Sequence, residues 1–179
     1  MNAQIITRGA ALLGVTALSL LGPAGPAKAL TVDMTCSVSI EGDLDPALTS
    51  SNNTASVTVR AAATGCLPLT PAAAGLFSAA ITGTGIAHSE SAVPCALLTR
   101  ADGSGVINWN TGAQSNFTFL LSTNILTGVL AANVMITSGP LAGDQVTGVP
   151  VVAHPNPDCA LVGLTRVTAE LGQVFIGHA

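Results

Sequence analysis

The first clear pattern in the chain is "VDMTCSVSI". Val32, Met34, Cys36, Val38 and Ile40 alternate with Asp33, Thr35, Ser37 and Ser39. A period of two sends successive side chains to opposite faces, so this segment predicts a strand with one buried face. Cys36 falls on the apolar face. "ASVTVRA" repeats the pattern, with Ala55, Val57 and Val59 opposite Ser56, Thr58 and Arg60. Between them, "EGDLDPALTSSNN" is rich in Gly, Asp, Pro and Asn and predicts a turn.

The same reading picks out "FSAAITGTGIA", with Phe77, Ala79 and Ile81 on one face. "GVINWN", "SNFTFLL", "TGVLAANVMITSG", "DQVTGVPVVAH" and "LTRVTAELGQVFIG" follow. In the last of these the alternation shifts near Gly172, which predicts a bulge. Ahead of Phe77, "TPAAAG" suits a single helical turn, with Thr70 as N-cap and Pro71 at the first position. No segment combines a 3.6-residue period with caps. About eight short strands between Gly- and Asn-rich turns predict an all-β fold, a single antiparallel β-sandwich or closed barrel. "FTFLLSTNILTGVLAANVMI", residues 117–136, is apolar and long enough for a membrane helix. Ser122-Thr123-Asn124 reads as a turn inside it, so two adjacent strands are expected instead.

The only tryptophan and two of the four phenylalanines lie in "GVINWNTGAQSNFTFLL". A hairpin turning around "TGA" would pair Trp109 with Phe117 and Ile107 with Phe119 on one face. Asn108, Asn110, Asn116 and Thr118 would take the other. Such a face is either hairpin core or a platform for stacking sugars. The chain has no tyrosine. Sugar platforms favour amphipathic rings, so core is the stronger reading.

The N-terminal segment reads as a targeting signal. Arg8 is followed by an apolar run from Ala10 to Leu21 and by Ala27-Lys28-Ala29. That is the order of a signal peptide, residues 1–29, cleaved after Ala29. The secreted β-domain is then 30–179, extracellular or in the cell envelope, and long enough for one core. It keeps three of the five basic residues, Arg60, Arg100 and Arg166, and all nine acids, a formal charge of −6. Phosphate backbones require clustered positive charge, so nucleic acid is excluded as a partner. Association with an anionic membrane surface is not expected on the same ground.

All four cysteines, Cys36, Cys66, Cys95 and Cys159, lie beyond the signal. An even count in an exported chain predicts two disulfides. Zinc is not expected of them, because their spacings lack C-x-x-C pairs. If consecutive strands run antiparallel, Cys36 and Cys66 share one end of the fold and Cys95 and Cys159 the other. The expected bridges are therefore Cys36–Cys66 and Cys95–Cys159.

Few residues suggest chemistry. "DGSGV" at 102–106 is not G-x-S-x-G and sits where a turn is expected. His88 and His154 follow strands, and His178 is next to last, so all three read as exposed loop histidines. Glu41, Asp43 and Asp45 gather three acids at alternate positions. They read as a solvated turn, or as oxygen ligands for calcium without the EF-hand pattern. "GTGIAH" lacks the third glycine of a phosphate loop. No catalytic residue, cofactor or metal ligand is assigned.

The order of features resembles small secreted actinobacterial β-rich proteins of uncharacterised function. It runs through "TCSVSI", "TGC", a Gly/Thr-rich strand, a third Cys, "INWNTG", "SGPLAGDQVTG" and a late "PDC". The resemblance implies a β-rich secreted domain with no assigned activity. The resulting expectation is an exported, non-catalytic β-domain that binds an unknown protein or cell-wall partner or builds the envelope. One alternative is a β-barrel-forming or membrane-associated envelope protein, suggested by a 49% apolar composition. Another is a hydrolase whose acids converge only in space.

Overall fold

The computed structural model describes residues 31–90, 98–124, 129–148 and 151–178. The signal segment and Cys95 lie outside them. The described strands are β1 (Thr31–Leu48), β2 (Thr54–Pro68), β3 (Ala79–Ser89), β4 (Leu98–Trp109), β5 (Gln114–Asn124), β6 (Val129–Ser138), β7 (Gln145–Gly148), β8 (Val151–Pro155) and β9 (Leu164–His178). A 3-10 turn, Pro71–Ala73, and a short helix α1, Cys159–Val162, are the described helical pieces. Among the described residues no helix is long and apolar enough to cross a membrane. The apolar stretch from Phe117 to Ile136 contributes β5 and β6 and no helix among the described residues, but Ser122, Thr123 and Asn124 are not the expected turn: they are paired residues at the end of β5.

Every predicted strand is present, and most run longer than expected. The acidic segment is not a turn: β1 continues through it to Leu48. The alternation carries on there, with Gly42 and Leu44 buried and Glu41 and Asp43 only partly so. "DGSGV" is also not a turn but the middle of β4. "DQVTGVPVVAH" divides into β7 and β8. The predicted turn at Pro71 forms, yet the Thr70 hydroxyl does not cap it and bonds to Asp33 instead.

All pairings are antiparallel, and each strand pairs with its sequence neighbour from β1 to β7. β1 also pairs with β9, so the single sheet closes on itself as a ring of eight strand positions. β7 and β8 occupy one position in succession between β6 and β9. They hold a common register on β9, with Gln145 opposite Gly177 and Pro155 opposite Val167. The bulge expected near Gly172 is there: Ser37 faces Gln173 and Val38 faces Leu171, leaving Gly172 unopposed.

The apolar faces point into the ring and form one main core. The 3-10 turn brings Ala73 and Leu76 into the core at one end. At the other end Leu48 pairs with Leu164, and both are fully buried. Cys159 is buried there at the start of α1.

Cys36 and Cys66 form a disulfide between β1 and β2, as strand parity predicts. Gly65 and Cys66 together stand opposite Cys36, a bulge that turns Cys66 inward after Ala63. This is the one disulfide complete within the described residues, where two were expected for the chain. No described cysteine is free.

The aromatic hairpin needs a correction. Phe117 lies opposite Gly105 in place of Trp109, and Phe119 opposite Gly103 in place of Ile107, a shift of four positions along β4 from the predicted pairing. The chain turns earlier, at Asn110-Thr111-Gly112, where Gly112 takes φ +84°. Only glycine adopts that conformation without a Cβ penalty. Trp109 N–H donates to the Ala113 carbonyl at 2.9 Å and closes the loop. The shift is even, so the faces are unchanged. Ile107, Trp109, Phe117 and Phe119 are all buried, and the rings are core.

Candidate functional site

Two places in the ring concentrate chemistry or space. The first is the interior. A cavity of about 210 Å³ lies among Cys36, Ile81, Trp109, Phe119, Val134 and Val174, which come from six different strands. Its lining is almost wholly apolar because the inward face of each strand is apolar. Glycines shape one wall. The rings of Phe117 and Phe119 lie over Gly105 and Gly103 of the adjacent strand. A Cβ on Gly103 would stand 2.7 Å from Phe119 Cζ, and one on Gly105 2.6 Å from Phe117 Cζ. The aromatic side chains occupy the volume the glycines leave empty. The indole N–H of Trp109 donates to Ser115 Oγ at 2.9 Å, and that hydroxyl donates to the Pro140 carbonyl at 2.7 Å. The buried polar atom of the tryptophan is thus satisfied.

The second place is the seam where the first strand meets the last. Asp33 lies in β1, His178 ends β9, and Asp144 ends the turn between β6 and β7. One potential ligand atom from each lies within 4.8 Å of the other two. His178 Nδ1 is 2.9 Å from Asp33 Oδ2 and 3.2 Å from Asp144 Oδ1. Both aspartates are buried, while the imidazole is half exposed. Asp33 is buried because it is the extra residue of a bulge: Val32 faces Gly177 and Met34 faces Ile176. Its carbonyl accepts from the N–H groups of Leu69 and Thr70. Asp144 is set by a tight turn in which Leu141 takes φ +62°. That left-handed backbone is unfavourable for leucine, but it places the side chain in the core, 7% exposed.

The two carboxylates differ electrostatically. The Thr70 hydroxyl, outweighing burial and aided by His178, holds Asp33 below the usual carboxylate range. Burial, and then the charge of Asp33, push Asp144 above it. Asp144 Oδ2 is fully buried and accepts no hydrogen bond. A mixed set of two carboxylates and one imidazole has the donor chemistry of a divalent metal site.

The acids singled out in sequence lie elsewhere. Asp43 bonds Arg60 at 2.6 Å and Arg166 at 2.8 Å, and Arg166 also reaches Glu41 at 3.3 Å. Burial raises the Asp43 carboxyl, but the two guanidiniums outweigh it and hold it below the usual range. These acids therefore stitch β2, β1 and β9 together on the outside. Asp45 is exposed. The histidines are not in loops: His88 is on the outer face of β3, 3.2 Å from Thr54 Oγ1, and His154 is exposed on β8. Ser104 faces outward from β4. Sequence reasoning missed Asp33 and Asp144. Period two assigns Asp33 to the polar face, and nothing local announces the bulge that buries it. The acids that do converge are these two.

No family model, no curated protein and no solved structure matches this chain.

Proposed function

We propose that this protein is an exported, non-catalytic β-domain, a small closed barrel that binds a small neutral apolar molecule in its interior. The observation that carries this reading is the apolar cavity of about 210 Å³ inside the ring. An apolar cavity of about 150 Å³ stays dry and takes up benzene. The larger volume here suits a hydrocarbon-like group of about six to ten carbons, by the same scaling.

The two faces of the ring support a water-facing role over a membrane-spanning one. A transmembrane barrel is apolar outside and polar within. Here the interior is apolar, and the outer surface carries a row of Thr58, Thr84, Ser104 and Thr118 across four paired strands. The Cys36–Cys66 bridge suits an oxidising compartment. The strand directions also support the second bridge. β3 ends, and β4 begins, at the end of the ring where Cys159 lies, which is the end that strand parity assigns to that bridge.

Trp109 lines the cavity and is the only tryptophan, so its fluorescence reports occupancy. Titration with cyclohexane, which is transparent where tryptophan is excited, should shift the emission and saturate. Ala61→Leu, which fills the lining, should weaken that response without unfolding the protein. An emission that never changes up to the solubility limit of cyclohexane would show that the interior is simply loose packing.

A further inference from the structure

We propose that Asp33, Asp144 and His178 form a zinc-binding clasp that locks the seam of the ring. Three elements meet there: the start of β1, the end of β9 and the turn that leads into β7. Asp33 and Asp144 are 3% and 5% exposed, and their carboxylates converge on one imidazole nitrogen. Two adjacent buried carboxylates repel, and a single imidazole nitrogen faces both. A divalent cation would neutralise both charges.

The second observation is Asp144 Oδ2, a fully buried oxygen with no partner. An orphaned buried carboxylate oxygen is costly unless something occupies its lone pairs. Its other oxygen already faces His178. A cation that Asp144 ligates through both carboxylate oxygens gives Oδ2 that missing partner.

The spacing suits the ion. Zinc bonds of about 2.0–2.2 Å to nitrogen and oxygen put neighbouring tetrahedral ligands about 3.4 Å apart. His178 Nδ1 stands 2.9 and 3.2 Å from the two carboxylate oxygens, and all three ligand atoms lie within 4.8 Å of one another, within reach of one ion after small side-chain movements. His178 binds through Nδ1 as the neutral tautomer that keeps its proton on Nε2, so no proton remains between the imidazole and the two carboxylates. Thr70 stays on Asp33 Oδ1 and orients that carboxylate, as an outer hydrogen bond does for a metal ligand. With one histidine and two carboxylates, the set suits zinc better than calcium, which takes six to eight oxygens.

The test is calorimetric titration of the chelator-stripped full chain with Zn²⁺, with Ca²⁺ as a second arm. One zinc per chain should bind and raise Tm. Asp144→Asn and His178→Gln should each lower zinc affinity by roughly tenfold to a hundredfold or more. His178 is at an exposed strand end, so His178→Gln keeps the readout available if Asp144→Asn disturbs folding. His88→Gln and His154→Gln should change nothing. The clasp is ruled out if wild type takes up no zinc. It is equally ruled out if zinc affinity survives His178→Gln, falls with His88→Gln or His154→Gln, or is exceeded by calcium affinity.

Discussion

The aromatic wall and the seam are built in opposite ways. In the wall, β3, β4 and β5 are consecutive and run without a register shift between them. Its stability comes from rings laid over glycines and from one buried tryptophan. At the seam, β1 and β9 come from the two ends of the described chain, and their pairing shifts register at three places. Polar contacts cluster there: Asp43 with two arginines outside, and Asp33 and Asp144 with His178 at one end. The wall is an exercise in volume. The seam joins strands far apart in sequence, and the bulge at Asp33 turns in a side chain that simple alternation would misplace.

The largest way to break the wall is to empty it. Trp109→Ala removes a buried ring and leaves a cavity, so it should cost about 3–5 kcal/mol. Denaturant unfolding monitored by circular dichroism measures this. A midpoint equal to wild type would mean that the indole contributes nothing to packing.

On the seam side, the disulfide ties β1 to β2 beside the β9 pairing. Replacing Cys36 and Cys66 together by alanine should cost about 2–4 kcal/mol, mainly by freeing the unfolded chain. Thermal unfolding of the double variant checks it. Peptide mapping under non-reducing conditions sharpens the same point, because a Cys36 peptide linked to Cys95 or Cys159 would contradict the topology.

A single methyl tests whether the glycines are spacers for the rings. Gly105→Ala sets a Cβ 2.6 Å from Phe117 Cζ and 2.2 Å from the Thr82 carbonyl oxygen. Overpacking of this kind costs about 1–3 kcal/mol. Gly112 has open space around its missing Cβ, and its φ of +84° supplies the only penalty. Equal stabilities for Gly105→Ala and wild type would dismiss the close approach.

The smallest effect belongs to the outer stitch. Exposed ion pairs contribute about 0.2–1 kcal/mol and weaken with salt. Asp43 titrates below the ordinary value of 3.8 in the folded protein. Its contribution is therefore complete above that value and is lost as pH falls through the depressed folded one. Asp43→Asn should lower stability slightly at neutral pH, and the difference from wild type should shrink in strong acid and in high salt. A difference that grew on acidification would reverse the assigned sign.

The all-β class, the eight runs of alternation and the bulge at Gly172 were all legible in the sequence. Each depends on residues within one strand, where a period of two is a local consequence of backbone geometry. Even the Cys36–Cys66 bridge follows from counting strand directions. The identity of the inward face was also robust, because the four-position shift in the aromatic hairpin preserves parity. What only the tertiary structure decided is everything that depends on how distant strands meet. The hairpin register was set by where Gly112 turns the chain. The acids of "EGDLDP" became strand residues because arginines from both neighbouring strands, one of them 123 positions away, receive Asp43. Asp33, Asp144 and His178 share no spacing or motif. They converge because the ring closes β1 against β9 and a bulge turns Asp33 inward, and no local pattern encodes a closure between the two ends of a chain.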